Sequence, residues 1–414
     1  MRIVVVGAGI AGAVTALVLS REGHDILLLE SAGGASTGAS HANAGLISPG
    51  HCFSWAEPGV VGIAVRAALG AGDGIGICQP LSPSLLKWSY LFSRQSTRER
   101  WFANSRAALA LSAYSRDELF AQVNIPLATY GGRHDGILYL YGADTAPGSH
   151  DAELLNEASE PFRSLNADEV LACEPVLKQS RLQFPKAAFS PNDGTGDAAQ
   201  FAAAALQEAI ALGAKVHFSE SVENFEVSGK RIKAVVTEKQ RYEVDGVVVS
   251  AGLASSTLLR PIGYRLPIHA VSGYSVTYAG TFERLPRVGA VSIPHKIAWT
   301  SFNGDRVRFT GFADIGIPNP KRVSKRFADL KRFASDIMPE VANYQPLEWV
   351  GQRPMTPDNL PFLGSSNHEN LWLNCGHGAM GWTMSFGSAR VISDLVGGKT
   401  PRVNTMPYRW DRFC

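Results

Sequence analysis

The feature that most constrains the fold is a glycine-rich turn between a strand and a helix in the first thirty residues. A β-branched run at 2–6 predicts a buried strand, and "AVTALVLSREGH" predicts a helix ending at Gly23. Between them Gly7, Gly9 and Gly12 follow the pattern G-x-G-x-x-G, and "DILLLE" at 25–30 predicts a second buried strand. This order predicts a Rossmann-type α/β domain that binds a dinucleotide.

Each glycine of this turn has a separate physical task. Gly7 permits the tight turn, Gly9 lets the backbone approach a pyrophosphate, and Gly12 lets the helix pack on the strand. The N–H groups at the start of the helix then face the phosphates. Glu30 ends the second strand, where a carboxylate binds ribose hydroxyls and repels a 2′-phosphate, which argues against NADP. The alternative is a glycine-rich turn that binds nothing. Three further residues of this unit are candidate cofactor contacts: Ile10, Ala11 and Ser31.

The segment after the second strand favours FAD over NAD. NAD domains commonly continue with further strand–helix units, whereas this chain continues with the small-residue loop "STGASHANAGLISPG". Small residues let the backbone lie close to a flavin ring, and the Ser40 hydroxyl can meet the pyrophosphate. The alternative is an exposed flexible loop. The loop residues expected to contact the flavin are Asn43, Ala44, Gly45 and Leu46.

Composition and charge exclude several classes of protein. The chain has 414 residues, 45% of them hydrophobic and 18% charged, which fits a two-domain globular protein. A net charge of +2 gives no argument for nucleic-acid binding. The five cysteines are scattered without a CxxC pair, so we expect no disulfide framework and no metal site. The N-terminal apolar run lacks the pattern of a signal peptide, and no segment predicts a membrane span, so we expect a cytoplasmic protein.

Several motifs together resemble the D-amino acid dehydrogenases, flavoproteins of the glycine oxidase and D-amino acid oxidase group. They are "GAGIAG…LLLE", "ANAGLISPG", "WAEPG", "VSAGLAS", "VSGYSVT", "RPMTPDNLPFLG" and "NCGHGAMGWTMSFGSARVISDL". The resemblance runs from Met1 to about Pro401 and implies a glutathione-reductase-like FAD fold. It also implies an interleaved α+β substrate domain built on an antiparallel sheet. The expected FAD-binding domain comprises 1–85, 190–265 and 345–414, and the expected substrate domain comprises 86–189 and 266–344.

The resemblance also explains a second glycine-rich helix entrance at 375–395. In that fold a helix points its N-terminus at the flavin edge that becomes anionic on reduction, and backbone N–H groups stabilise the charge. The alternative is a glycine-loosened helix start that packs on a strand. Cys375 could attach the flavin covalently, although a small packed thiol is the simpler interpretation. The cofactor contacts implied outside the first turn and its loop are Val222, Ala251, Gly252, Gly376, Gly378, Ala379, Met380, Gly381, Trp382 and Thr383.

The candidate catalytic and substrate-binding residues are Arg353, Tyr274, His377 and His51. Arg353 precedes a proline in the position where the wider oxidase group binds the substrate carboxylate, and its planar fork suits that task. The alternative is a structural arginine paired with Asp358. Tyr274 could donate its hydroxyl to the same carboxylate or simply fill the core. His377 could add charge near the flavin or pack, and His51 lies on the flavin loop, where many histidines are surface residues.

The resemblance implies oxidation of a D-amino acid by hydride transfer from Cα to flavin N5, with electrons passed to a quinone or another acceptor. D-proline and hydroxyproline are candidate substrates. A general base is not required if the amine reaches the site neutral. Rival functions are oxidation of a secondary amine such as sarcosine, oxidation of a 2-hydroxy acid, a non-catalytic flavin-binding electron-transfer subunit, and an NAD-binding regulator.

Residues 85–106 mix aromatic and basic side chains on a predicted helix. Such a helix could rest on an anionic membrane and deliver electrons to quinone, or it could pack on the domain with a solvated basic face. The related dehydrogenases associate with the inner face of the bacterial membrane. The expected partners are therefore an amino acid, an electron acceptor and, through this segment, a membrane surface.

Overall fold

The computed structural model describes residues 1–60, 62, 74–79, 82–122, 124–143 and 149–414. Parts of the predicted domain segments 1–85 and 86–189 fall on the intervening positions and lie outside the described residues. In chain order the strands are β1 Arg2–Val6, β2 Asp25–Leu29, β3 Leu46–Ile47, β4 Ile75–Ile77, β5 Ile137–Tyr141, β6 Arg163–Asn166, β7 Lys186–Ser190, β8 Gly194–Thr195, β9 Lys215–His217, β10 Val222–Ser228, β11 Arg231–Thr237, β12 Arg241–Glu243, β13 Gly246–Val249, β14 His269–Ala279, β15 Gly289–Ser292, β16 Ile297–Phe302, β17 Arg306–Ile315, β18 Leu347–Met355, β19 Phe362–Ser365 and β20 Leu371–Cys375.

The helices confirm the main helical predictions. The segment expected to be helical at 81–125 forms two helices, and the segment after Asp193 forms a long one that Asp197 caps. In chain order the helices are α1 Ile10–Arg21, α2 Pro83–Arg94, α3 Arg98–Gln122, α4 Leu127–Tyr130, α5 Ser149–Glu157, α6 Ala167–Cys173, α7 Ala198–Ala211, α8 Ala254–Leu259, α9 Pro320–Ile337 and α10 Gly381–Val396.

A mostly parallel sheet carries the dinucleotide-type unit. Within the described chain, six strands form it in the order β19-β20-β13-β1-β2-β9, and only the β19–β20 pair is antiparallel. The short runs of Ile, Val and Leu in β1, β2 and β13 are buried on both faces, as the central strands of such sheets are. Helices α1, α7 and α10 pack together on this sheet. The predicted α/β class is confirmed.

A larger mixed sheet stands beside it. Nine described strands form this sheet, with β18-β14-β17-β16 antiparallel at one side and β4 paired to β17. Helix α9 packs its apolar stripe on one face, and the other face is turned toward the glycine-rich turns. Two of these strands, β4 and β18, lie inside the segments predicted for the FAD-binding domain, so both segments contribute to both sheets. The domain division itself stays a prediction.

A bulge in β17 shapes the region between the two sheets. Ser272 pairs with Asp314 and Tyr274 with Gly311, so two residues of β17, Phe312 and Ala313, stand opposite one residue of β14. Phe312 has a positive φ of 65°, which a bulky side chain rarely adopts. The bulge turns the carbonyl group of Phe312 out of the ladder. Its oxygen binds a side chain of the candidate site instead.

Candidate active site

One large cavity joins the two glycine-rich turns. Its volume is about 1490 Å³, larger than the ~300–1,000 Å³ of most small-molecule sites. Its walls come from the β1–α1 turn, the end of β2, the loop after it, strands β14 and β18, and the start of α10. A space of this size and length fits a dinucleotide together with a small substrate.

Nearly all the predicted cofactor residues border this cavity. Gly12 is the exception, because it lies inside α1. The residues brought together are Gly7, Gly9, Ile10, Ala11, Glu30, Ser31, Ser40, Asn43, Ala44, Gly45, Leu46, Val222, Ala251, Gly252, Gly376, Gly378, Ala379, Met380, Gly381, Trp382 and Thr383.

The first turn is closed by contacts that exclude side chains. Gly7 has φ of 104°, and a Cβ atom there would lie 2.7 Å from the carbonyl oxygen of Ser250. A Cβ atom on Gly12 would collide with the carbonyl oxygen of Gly7. Gly9 is open toward the cavity, and the nearest atom to a Cβ there would be the Ser40 Oγ at 3.6 Å. The three glycines therefore have the packing that their spacing predicts, with the open position on the side where a pyrophosphate would lie.

Glu30 is held in place at the end of β2. One carboxylate oxygen accepts from the Ala8 N–H at 2.7 Å and the other from the Ala32 N–H at 2.8 Å. Each carboxylate oxygen can accept a second hydrogen bond, so capacity remains for ribose hydroxyls. The backbone contacts fix the carboxylate beside the first turn, where a ribose would follow the pyrophosphate.

The loop at 40–46 is fastened from both sides. Ser40 Oγ accepts from the Ile10 N–H at 3.1 Å. Arg308, on β17, donates to the carbonyl oxygen of Asn43 at 3.0 Å and to Asp197 at 3.2 Å. A Cβ atom on Gly45 would lie 2.6 Å from the Phe302 ring, so only glycine fits between that ring and the cavity. The loop is thus a packed part of the cavity wall, which excludes the exposed-loop alternative.

The second glycine turn leaves backbone donors open toward the cavity. Gly376 and Gly378 have φ of 77° and 57°, and the chain then enters α10 at Gly381. No side chain caps the start of this helix. Uncapped N–H groups at a helix start favour negative charge, so the geometry suits the edge of a flavin that becomes anionic. Burial raises the pKa of the Cys375 thiol to about 12, which disfavours the thiolate needed for covalent attachment.

Arg353 is a cation at the cavity wall without a carboxylate partner among the described residues. Its Nη1 donates to the carbonyl oxygen of Phe312 at 2.9 Å, and its guanidinium lies 6.0 Å from the centre of the Trp55 ring. A Cβ atom on Gly273 would come within 2.5 Å of the guanidinium carbon, so the fork lies flat on the glycine. Burial lowers the pKa of Arg353 to about 10. An anionic ligand would relieve this cost.

The predicted alternative, a pair between Arg353 and Asp358, is not what the structure contains. Asp358 accepts instead from Arg412, with Nε–Oδ2 and Nη2–Oδ1 distances of 2.7 and 3.0 Å. Arg353 therefore keeps its remaining donors for the cavity.

Tyr274 has a different hydrogen-bond partner from the predicted one. Arg353 pairs with Val271 across β14 and β18, and Tyr274, three residues further along β14, faces the opposite side of the sheet. Its ring packs in the core beneath α9, and its hydroxyl donates to Asp314 at 2.7 Å. Arg322 and Arg326 also bind Asp314 and hold its pKa well below the usual range. Tyr274 borders the cavity, but in this structure it does not direct its hydroxyl at the carboxylate anchor.

Both candidate histidines lie at the cavity and are neutral at pH 7. His377 is buried, with Nε2 3.1 Å from the Ser388 Oγ, and burial lowers its pKa to about 4. The expectation that it could add a charge near the flavin therefore fails. The surface of His51 faces into the cavity, and the surrounding protein together with Lys296 lowers its pKa to about 4. His51 is thus placed beside the substrate space, as expected, without a positive charge.

Asp193 supports the turn that carries His51. It accepts from the Gly50 N–H at 3.2 Å and from the Tyr139 hydroxyl at 2.7 Å. The ring of Tyr139 lies 5.2 Å from the ring of His51. Burial raises the pKa of Asp193 to about 7.

Several cavity residues were not identified from the sequence. Trp55 belongs to the quoted motif "WAEPG" but had no assigned role, and the alternation in "ILYLY" could have suggested that Tyr139 and Tyr141 share one face of a strand. Lys296 has a positive φ in the turn between β15 and β16, which the sequence does not signal. The cavity residues missed include Trp55, Trp88, Tyr139, Tyr141, Lys296 and Trp349.

Comparison with known proteins places these features in one group. Residues 2–395 match the family model described as DAO, FAD dependent oxidoreductase. A D-amino acid dehydrogenase of Rhizobium johnstonii is 34% identical over the whole of both chains, and one of Neisseria meningitidis is 32% identical over the whole of both. These relatives confirm the resemblance drawn from the motifs.

Solved structures share the fold. L-proline dehydrogenase from P. horikoshii superposes with a TM-score of 0.73 and 18% identity, covering 100% of this chain and 97% of that one. Glycine oxidase from Geobacillus kaustophilus gives 0.72 and 21%, covering 99% of each. The predicted FAD fold is therefore confirmed.

Proposed function

We propose that this chain, which belongs to the DAO family of FAD-dependent oxidoreductases, oxidises a D-amino acid at its Cα atom to the imino acid. The observation that carries the proposal is Arg353, a largely buried cation that faces the cavity with unused donors. The curated relatives named D-amino acid dehydrogenase over the full length of the chain support the substrate class and its handedness.

FAD supplies the two-electron oxidation when it is bound, and the chain supplies its position. We assign the pyrophosphate to the Gly7–Gly12 turn, the ribose to Glu30, and the ring to the loop at 40–46. The uncapped N–H groups at the start of α10 would stabilise negative charge on the ring edge.

Arg353 would bind the substrate carboxylate through two parallel charge-assisted hydrogen bonds. Its contact with the Phe312 carbonyl fixes the guanidinium plane, so the carboxylate would fix the orientation of Cα. Aromatic walls at Trp55 and Tyr139 would keep water from the reacting carbon. His51 and His377 are neutral, so neither would repel the substrate amine. We assign no general base, because the amine can lose its proton before it reaches the site.

The side chain of the substrate is a finer part of the proposal. D-proline and hydroxyproline remain candidates, because an amino acid whose nitrogen lies in a ring needs no additional polar partner. A secondary amine such as sarcosine, or a 2-hydroxy acid, would satisfy Arg353 equally well. A non-catalytic flavin subunit is disfavoured, since such a protein has no need of an unpaired cation in its cavity.

Helix α2 supports the proposal that electrons leave at a membrane surface. Its inner side carries Leu85 and Trp88 to the cavity, and its outer side exposes Leu86 and Tyr90, which are 55% and 58% accessible. Lys87, also exposed, gives this outer face positive charge, and the helix has no acidic residue. The face suits an anionic lipid surface and a quinone acceptor. Among the described helices none is long and apolar enough to cross a bilayer.

The proposal is tested by turnover of the purified FAD-loaded protein with an artificial electron acceptor. D-amino acids, sarcosine and 2-hydroxy acids are compared, and 2-oxo acid and ammonia are quantified. Equal molar release of both from a D-amino acid supports the proposal. Turnover confined to sarcosine or to hydroxy acids would replace it by the corresponding rival.

A further inference from the structure

The segment 406–413 is fastened onto the turn that follows strand β18. Arg412 binds Asp358 through both carboxylate oxygens, and its Nη2 also donates to the carbonyl oxygen of Leu360 at 2.7 Å. The Tyr408 hydroxyl donates to the carbonyl oxygen of Ala107 on α3 at 2.7 Å, which anchors the same segment to the body of the protein. The segment lies beyond residues 2–395, which the family model covers.

The ion pair is well shielded from water. The side chains of Arg412 and Asp358 are 12% and 4% accessible, and the guanidinium carbon lies 4.1 Å from the centre of the Phe362 ring. Arg412 does not border the cavity. Any effect it has on the substrate must therefore pass through the turn at 356–360.

That turn reaches the carboxylate anchor by two routes. Along the chain, Arg353 stands five residues before Asp358. Through space, Asn359, which has a positive φ of 66°, accepts from the Trp55 N–H at 2.9 Å. The Ser54 hydroxyl donates to the carbonyl oxygen of Asp358 at 3.2 Å. The turn thus holds both Arg353 and the Trp55 ring that lies beside it.

We propose that Arg412 is a positioning residue for substrate binding: by clamping the turn at 356–360 it fixes Arg353 and Trp55 relative to each other. The inference rests on the proposed function, in which Arg353 binds the substrate carboxylate. Displacement of a binding group by a fraction of an ångström to one ångström weakens a preorganised site strongly. Loss of the clamp should weaken carboxylate binding while the flavin cradle, formed by other elements, stays intact.

The test uses the FAD-loaded full chain and three variants. Arg412→Gln combined with Asp358→Asn removes both charges, so no unpaired charge stays buried. Arg412→Lys keeps the charge but loses the two-pronged contact. Arg409→Gln is the matched control, because Arg409 lies in the same segment, is half exposed and pairs with Asp411 on the surface. Benzoate, a carboxylate without an amine, is titrated through the flavin absorption spectrum, and KM and kcat are measured with D-alanine and D-proline.

We expect the benzoate Kd and the substrate KM to rise about tenfold or more in the double variant. In Arg412→Lys we expect a smaller rise, and in Arg409→Gln none. FAD content and kcat should stay within about twofold in all of them, a split that general loss of structure would not produce. If the double variant does not fold, Arg412→Lys carries the test. Unchanged benzoate and substrate affinity, or a fall in kcat and FAD content with unchanged affinity, would overturn the inference.

The two proposals fail differently. If wild-type protein binds benzoate but no D-amino acid reduces its flavin, the proposed function is wrong, and the benzoate titration alone decides the role of Arg412. If wild-type protein does not bind benzoate, the carboxylate anchor and the inference about Arg412 are both overturned.

Discussion

Replacement of Arg353 by methionine should lower activity and raise stability at the same time. The guanidinium is desolvated and has no carboxylate partner among the described residues, and its pKa falls from 12.5 to about 10. At 1.36 kcal/mol for each pKa unit, holding the charge in place costs up to about 3 kcal/mol. Methionine removes that cost and also removes the hydrogen bond to the Phe312 carbonyl, worth about 1 kcal/mol. The net gain in the free energy of unfolding should be about 2 kcal/mol.

The loss of activity follows from the two charge-assisted hydrogen bonds that the substrate carboxylate would lose. At ~1.5–3 kcal/mol each, they correspond to a fall in kcat/KM of about 10²–10⁴. Urea unfolding at pH 7 and steady-state kinetics with a D-amino acid measure the two effects, and Arg353→Lys serves as the charge-retaining control. A variant that is less stable than wild type, or that keeps kcat/KM within tenfold, would refute the assignment of Arg353 as a functional rather than a structural cation.

Three further predictions concern the surroundings of this site. Gly273→Ala places a methyl group where the Arg353 guanidinium lies and should raise KM about tenfold with little loss of FAD, as measured by steady-state kinetics and flavin absorbance. Asp193 has a folded-state pKa of about 7, above its ordinary 3.8, so wild-type protein should lose stability as the pH rises from about 4 through 7. In Asp193→Asn urea unfolding at pH 5 and pH 8 should show less of this loss, and an identical loss would contradict the assignment. Leu86→Gln should weaken binding to vesicles containing anionic lipid about tenfold, from the ~1.5–3 kcal/mol gained by burying a leucine, and sedimentation with vesicles would show no change if α2 does not face the membrane.

The features that the sequence reveals best are those determined by short-range spacing. The first glycine turn, its strand and its helix follow from thirty consecutive residues, and the structure gives Gly7 and Gly12 the close contacts that their spacing predicts. Arg353 was accessible for a different reason, since it stands in a motif with a recognisable neighbourhood.

Features that depend on pairing between distant segments were not accessible. The face on which Tyr274 lies is set by its register with β18. The partner of Asp358 is Arg412, 54 residues away, and sequence spacing gave no reason to prefer it over Arg353. Lys296 and Tyr139 reach the cavity from strands that come together only in the folded sheet.

The most direct test of the account is anaerobic mixing of the purified yellow protein with paired enantiomers of alanine and proline. The account predicts that a D-enantiomer bleaches the flavin absorption while its L-counterpart leaves it unchanged. Bleaching by L-enantiomers alone would contradict the proposed handedness. Failure of every enantiomer, in protein that dithionite does bleach, would contradict amino acid oxidation itself.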